Sequence, residues 1–155
     1  MWSRSVCIND SLELGTIIPF VKEAYNHNMS VIVFNPNERK DPITNSFIKE
    51  FNRMESHCLW VYQNVIKTFS NTKEIYFVSH SMGGYCTIDI LKNFKDDLNT
   101  RLIKKIAFTD SVHGRRFNIL DNLTYNNLVS NSINFVTSEL KAGEFIKDNK
   151  QSYEY

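Results

Sequence analysis

The sequence predicts an α/β protein whose mostly parallel sheet of about five strands carries helices on both faces. Three observations lead there. Short β-branched and aromatic runs alternate with longer segments whose apolar residues recur every three or four positions. Two of those runs, SVIVF at residues 30–34 and IYFV at residues 75–78, are apolar almost throughout, as strands buried on both faces are. Polar turn residues such as Asn9-Asp10-Ser11 and Asn35-Pro36-Asn37 punctuate the alternation.

Residues 4–8 read as the first strand, and Asn9-Asp10-Ser11 then supplies a turn and a helix N-cap. A helix is expected over about residues 12–25, with Leu14, Ile17, Ile18, Val21 and Ala24 on one face. Pro19 predicts a late start or a kink in it. Asn26-His27-Asn28 ends that element, His27 reading as a solvated loop residue. The second strand, residues 30–34, is central by its apolarity, and a polar loop runs from it to about Asn45.

A longer helix is expected over about residues 46–69, with Leu59, Val61, Tyr62, Val65, Ile66 and Phe69 facing inward. Glu50, Arg53, Glu55, Gln63 and Lys67 fall on its solvated side, and His57 reads as a hydrogen-bonded structural histidine. Asn71-Thr72 turns the chain into the third strand, and the helix after it runs to about Phe94. Asp96-Asp97 and Asn99 read as a loop before the fourth strand, residues 103–108. Thr109-Asp110-Ser111-Val112-His113-Gly114 marks that strand's carboxyl end, and Arg115-Arg116 reads as a solvated basic pair. The Asn-rich stretch 118–131 holds a short helix, and residues 133–137 form the last strand. Beyond it the chain is polar and charged, with Phe145 and Ile146 as its apolar anchors.

At 155 residues the chain suits one compact domain with a real core. Eighteen Lys and Arg against 17 Asp and Glu leave almost no net charge, so there is no electrostatic sign of nucleic-acid binding. Cys7, Cys58 and Cys86 are odd in number, widely spaced and set in apolar stretches. Buried free thiols in a reducing compartment are the simplest state for them, with a thiol nucleophile as the sharper alternative. No apolar run approaches the ~20 residues of a membrane-spanning helix, and the N-terminus lacks a secretory pattern. An intracellular protein, cytoplasmic or nuclear, is therefore expected.

The chain is organised around residues 74–91, EIYFVSHSMGGYCTIDIL. A buried strand, a tight turn centred on Ser81 and an apolar helix are the setting a nucleophile elbow requires. The side chains two residues either side must be small, and those positions are Ser79 and Gly83. The plainer reading makes Ser81 a helix cap and the glycines a means of close packing. As an elbow, Ser81 would be the nucleophile of an esterase or amidase acting on a small ester or amide. Met82 and the loop around Asp10 or Ser11 would supply backbone N–H donors for the oxyanion. His113 is the one histidine downstream of Ser81 to serve as base, and Asp110 the acid to orient it. His80 adjoins Ser81 but should leave the turn in another direction, and Glu139 and Glu144 are weaker acid candidates. No cofactor or metal is expected.

Asn35-Pro36-Asn37, the V-S-H-S-M-G-G turn, A-F-T-D-S-V-H and N-D-S-L-E-L-G-T-I-I-P at residues 9–19 together resemble the Argonaute-binding-protein-two domain family. The resemblance spans about residues 6–138. It implies an α/β-hydrolase-like three-layer sandwich over residues 1–155. The family includes a fungal Argonaute–small-RNA chaperone subunit, the C-terminal domain of fungal class II histone deacetylases and an animal co-transcriptional regulator family. Its members usually carry an earlier hairpin, and a later segment whose histidine is the natural base. The expectation is thus either a piece of a longer protein, truncated at both ends, or a reduced domain with an incomplete site. The resemblance also implies the alternative function: a catalytically inactive domain that binds a protein partner in gene silencing or chromatin regulation.

Overall fold

A computed structural model describes residues 3–141 and 143–146. The chain divides into two compact units, Met1–Asn35 and Pro36–Tyr155.

The first unit is helical where a strand was expected. Helices α1 (Arg4–Asn9), α2 (Leu12–Gly15) and α3 (Ile18–Asn26) follow one another closely. Residues 4–8 form α1, not the first strand, because the run satisfies its backbone locally: Cys7 N–H donates to the Ser3 carbonyl at 3.0 Å and Asp10 N–H to the Val6 carbonyl at 3.0 Å. Gly15 makes the tight α1–α2 packing possible, since a Cβ there would lie 2.4 Å from the Cys7 backbone nitrogen. Ser11 caps α2 through its hydroxyl, which accepts from Leu14 N–H at 3.2 Å. Pro19 stands in the first turn of α3, so the expected late start is what the proline imposes. Residues 30–34 form no strand: Val31, Ile32 and Val33 are 42–56% exposed. An apolar run becomes a strand only when a neighbour completes its ladder.

The second unit holds a three-stranded parallel sheet in the order β1 (Ile75–His80), β2 (Ile103–Thr109), β3 (Ser132–Phe135). The α/β class and the parallel direction are as expected; among the described residues three strands stand where about five were expected. Helix α4 (Met54–Asn64) is shorter than the expected 46–69, with single 3-10 turns at Lys49–Phe51 and Ile66–Thr68. Helix α5 (Met82–Asn93) follows β1, and α6 (Lys95–Asn99) forms where a loop was expected. Asp96 and Asp97 lie in the first turn of α6, where acidic residues complement the helix dipole. Helix α7 (Asn122–Asn131) leads into β3, capped by Asp121, whose carboxylate accepts from Thr124 N–H at 2.9 Å.

Helices α5, α6 and α7 pack on the sheet, and α4 packs on α5. The core is Tyr62, Cys86, Ile88, Ile90, Leu91, Leu98, Ile103, Ile106, Phe108 and Leu128, all at most 2% exposed. Buried Tyr62 donates to Asp97 at 2.8 Å, and Lys67, expected in solvent, reaches the same carboxylate at 2.8 Å. Burial and then the Asp97 bond push the Tyr62 phenol well above its ordinary range. These contacts tie the end of α4 and the turn after it to α6.

Candidate functional site

The β1-to-α5 connection is a single residue. Ser81 has φ 50° and ψ −122°, a conformation L-residues rarely adopt and one that turns the chain abruptly from strand to helix. The surrounding backbone holds it there. Ser81 N–H donates to the Thr109 carbonyl at 3.1 Å, and its own carbonyl accepts from Gly84 N–H at 3.2 Å and Val112 N–H at 3.3 Å. Ser81 is half-buried, and its hydroxyl makes no hydrogen bond among the described residues. The plainer expectation, a hydroxyl capping α5, is therefore not what the side chain does.

Small residues are needed here, though not quite where the pattern predicts. A Cβ on Gly83 would meet only Ser79 Cβ at 3.9 Å, an ordinary contact. One on Gly84 would lie 1.8 Å from Ser111 Oγ, 3.1 Å from His113 Cβ and 3.2 Å from Phe108 Cδ1. Gly84 is the position that must stay bare, because the 110–113 loop lies directly on the first turn of α5. Ser79 has a use for its hydroxyl. Thr87 Oγ1 gives its proton to the Gly83 carbonyl at 3.0 Å, so the Ser79–Thr87 contact at 2.7 Å has Ser79 as donor. The serine thereby links β1 to the second turn of α5.

The carboxyl end of β2 supplies the other candidates. Asp110 also has a left-handed backbone, φ 45°; it is exposed, and its N–H donates to the Phe135 carbonyl at 2.9 Å. His113 begins the 3-10 segment His113–Ile119 and is 8% exposed. Its ring lies flat on Phe108, centroids 3.8 Å apart and planes 9° apart, with Phe117 edge-on at 5.3 Å. Its Nδ1 is hydrogen-bonded to Ser111 Oγ at 3.0 Å, not to Asp110. Burial depresses its pKa to about 4, so the ring is neutral at physiological pH. Backbone bonds thus join the Ser81 turn to the 109–112 loop, but no hydrogen bond joins the Ser81 hydroxyl to His113.

Met82 is exposed and opens α5, where the first N–H groups have no intrahelical partner. The N–H groups of Asp10 and Ser11 both donate to the Val6 carbonyl, at 3.0 and 3.2 Å. His80 Nδ1 bonds the Thr109 carbonyl at 3.0 Å, which makes that nitrogen the protonated one. Glu139 and Glu144 are exposed. Two depressions, about 420 Å³ lined by Arg39, Asp41 and Phe47 among others and about 220 Å³ lined by Lys92, Lys95, Asp121 and Thr124 among others, do not include Ser81. Among the described residues no cluster of three or more His, Cys, Asp or Glu side chains has the arrangement of a metal site.

One ion pair runs against the sequence expectation. Arg116, expected in solvent, forms an ion pair with Asp89 of α5, itself 6% exposed, and lies 4.4 Å from the Tyr85 ring centroid. A carboxylate inside the apolar run T-I-D-I-L was the available signal, since such a group requires a cation. Ser111 holds His113 and crowds Gly84, and nothing local in T-D-S-V-H marks it for either role.

Comparison with known proteins matches the Arb2 domain model to residues 37–142. The Cotranscriptional regulator ARB2A homolog of Dictyostelium discoideum is 38% identical over 144 residues, covering 72% of this chain and 37% of that protein. A FAM172 family protein homolog of Caenorhabditis elegans is 40% identical over 112 residues, covering 71% and 33%. The human Cotranscriptional regulator ARB2A is 25% identical over 162 residues, covering 72% and 38%. The chain thus spans less than two-fifths of the length of these relatives. No solved structure matches it. No helix among the described residues is long and apolar enough to cross a membrane. With the family model covering more than half of its residues, the chain belongs to the Arb2 domain family.

Proposed function

We propose that this chain is a hydrolase-like domain that works in co-transcriptional regulation inside the cell by binding a protein partner, with Ser81 in an elbow that does not turn over substrate. The observation that carries this reading is the state of His113. A general base must exchange a proton with its nucleophile near the working pH. His113 is stacked on Phe108, held by Ser111 and depressed to about 4 by burial, which suits a core residue. The names of the relatives point to the same biological setting. The finer fold assignment, a hydrolase-like three-layer sandwich, belongs to this reading and is supported by the strand–Ser81–helix turn.

The test is replacement in cells. Ser81→Ala, introduced in place of the natural protein, is expected to preserve co-transcriptional regulation at the wild-type level. Loss of regulation by a folded Ser81→Ala protein would overturn the reading.

A second reading rests on a different observation: the strained backbone of Ser81, a conformation that costs about 1–3 kcal/mol, and its hydroxyl, unbonded among the described residues. In it Ser81 attacks a small ester or amide, His113 is the base, Asp110 its orienter, and the Met82 N–H an oxyanion donor. A fluorophosphonate probe separates the two. Labelling that vanishes in Ser81→Ala establishes the hydrolase, whereas a folded, unlabelled protein leaves the binding domain.

A further inference from the structure

The chain has no Asn-Gly pair and two Asn-Ser pairs, Asn45-Ser46 and Asn131-Ser132. In such a pair the small second residue leaves its backbone nitrogen open to approach from the asparagine side chain. The two pairs stand in opposite surroundings. Asn131 lies in α7, where its Nδ2 donates to the Asn127 carbonyl at 2.8 Å and its Oδ1 accepts from Lys105 at 3.4 Å. Asn45 is exposed, has a left-handed backbone of φ 56° and makes no side-chain hydrogen bond among the described residues.

Asn45 sits in a tight loop closed on Asp41. Asp41 N–H donates to the Ser46 carbonyl and Asn45 N–H to the Asp41 carbonyl, both at 2.9 Å, and Lys40 and Phe47 pair as an antiparallel bridge just outside. Within the loop the Asp41 carboxylate accepts from Thr44 N–H at 2.7 Å, Ile43 N–H at 2.9 Å and the Thr44 hydroxyl at 3.2 Å. Those bonds, the Thr44 N–H first, hold its carboxyl below the ordinary range, so it is ionised. With its own proton given to Asp41, Thr44 Oγ1 accepts from Ser46 N–H, at a long 3.4 Å. A chain of hydrogen bonds thus runs from the Ser46 nitrogen to a carboxylate. We infer that Asn45 is a site of spontaneous deamidation, with Thr44 and Asp41 relaying the proton that the Ser46 nitrogen must lose.

The reaction is intramolecular and balances without an oxidant. The Ser46 nitrogen passes its proton to Thr44 Oγ1 as the hydroxyl proton moves to Asp41. That nitrogen attacks Asn45 Cγ and a C–N bond forms; the side-chain nitrogen then departs with the relayed proton as ammonia, leaving a five-membered imide. Water opens the imide at either carbonyl. Breaking the bond to Cγ gives aspartate, and breaking the bond to the backbone carbonyl gives isoaspartate. One water is taken up and one ammonia released. Isoaspartate adds a methylene to the backbone inside the Asp41–Ser46 loop. Either product sets a new carboxylate beside Arg39, Lys40 and Phe47, which with Asn45 line the depression of about 420 Å³.

The experiment is a time course on the full chain at mildly alkaline pH. It is read by peptide mapping and by methylation with an isoaspartyl carboxyl methyltransferase and labelled S-adenosylmethionine. Conversion to aspartate and isoaspartate is expected first at residue 45, with Asn131 intact and no early label in Asn45→Gln. Thr44→Val is expected to slow the reaction several-fold and Thr44→Ser to restore it, which separates the hydroxyl from the shape of the side chain. The inference is overturned if another asparagine converts first, if Thr44→Val reacts as fast as wild type, or if Thr44→Ser is as slow as Thr44→Val. Should Thr44→Val not fold, wild type compared with its urea-unfolded form decides: faster conversion of residue 45 in the native chain sustains the relay, and equal or slower conversion counts against it.

Discussion

Along β1 and β2, Ser79, Ile106 and Phe108 point toward α5 and its neighbours and are at most 6% exposed. One residue away on the same strands, Tyr76 and Val78 stand out on the other face; Val78 lies in line through Ala107 with Ile133 of β3, and Phe135 follows beside Thr109. These four side chains are 44–55% exposed. The two faces share a backbone and differ in what their side chains must do. On the helical face most polar groups have a partner: Ser79 on Thr87, His113 on Ser111, Asp89 on Arg116. A polar group under the helices is drawn into structure because leaving it unbonded costs more than fixing it. That is what has happened to His113.

The comparison breaks first at the buried ion pair. Arg116→Ala leaves Asp89 buried without its cation and is expected to cost about 3–5 kcal/mol in urea unfolding. Replacing both partners by apolar residues recovers most of that loss, which a double-mutant cycle reads directly.

Acid is the next probe. In the folded state His113 holds its proton only below about pH 4, while the unfolded chain takes it up near the ordinary value of 6.5. Between those values the unfolded state binds the extra proton, so stability falls as pH falls from about 6.5 to about 4. The expected loss is about 3 kcal/mol, absent in a folded His113→Phe variant.

Gly84→Ala sets a methyl into the Ser111–His113 loop and is expected to cost about 2 kcal/mol. Gly83→Ala has room for its methyl and is expected to be neutral or stabilising by up to about 1 kcal/mol. Equal losses at the two glycines would refute the packing described for the first turn of α5. Substitutions on the open face rank last: Val78→Thr is expected to change stability by less than about 0.5 kcal/mol.

Much of the second unit could be read from sequence, because each step of that reading was local. The IYFV run, the small residues around Ser81 and the apolar spacing of residues 85–91 each specify their own element. The Ser81 turn follows from all three together. The failures are non-local. The run at residues 4–8 has strand-forming residues but closes its hydrogen bonds within α1, and the run at 30–34 lacks the ladder that its composition would suit. Asp89 announces the need for a cation, yet nothing in the chain says that the cation stands 27 residues later. His113 sits in the right order for a base. Only the position of Phe108, which reaches under it from the helical side of β2, turns it into a core residue.

The order of the strands carries one more consequence. Among the described residues β1 pairs with β2 on one side only, so the apolar segment Tyr76, Phe77 and Val78 forms a sheet margin with unpaired backbone donors and acceptors. Such a margin is a template for another extended chain, and concentrated protein is expected to self-associate along it, as light scattering would register. A charge at its centre, Val78→Lys, should keep the molecules apart without touching the helices on the other side.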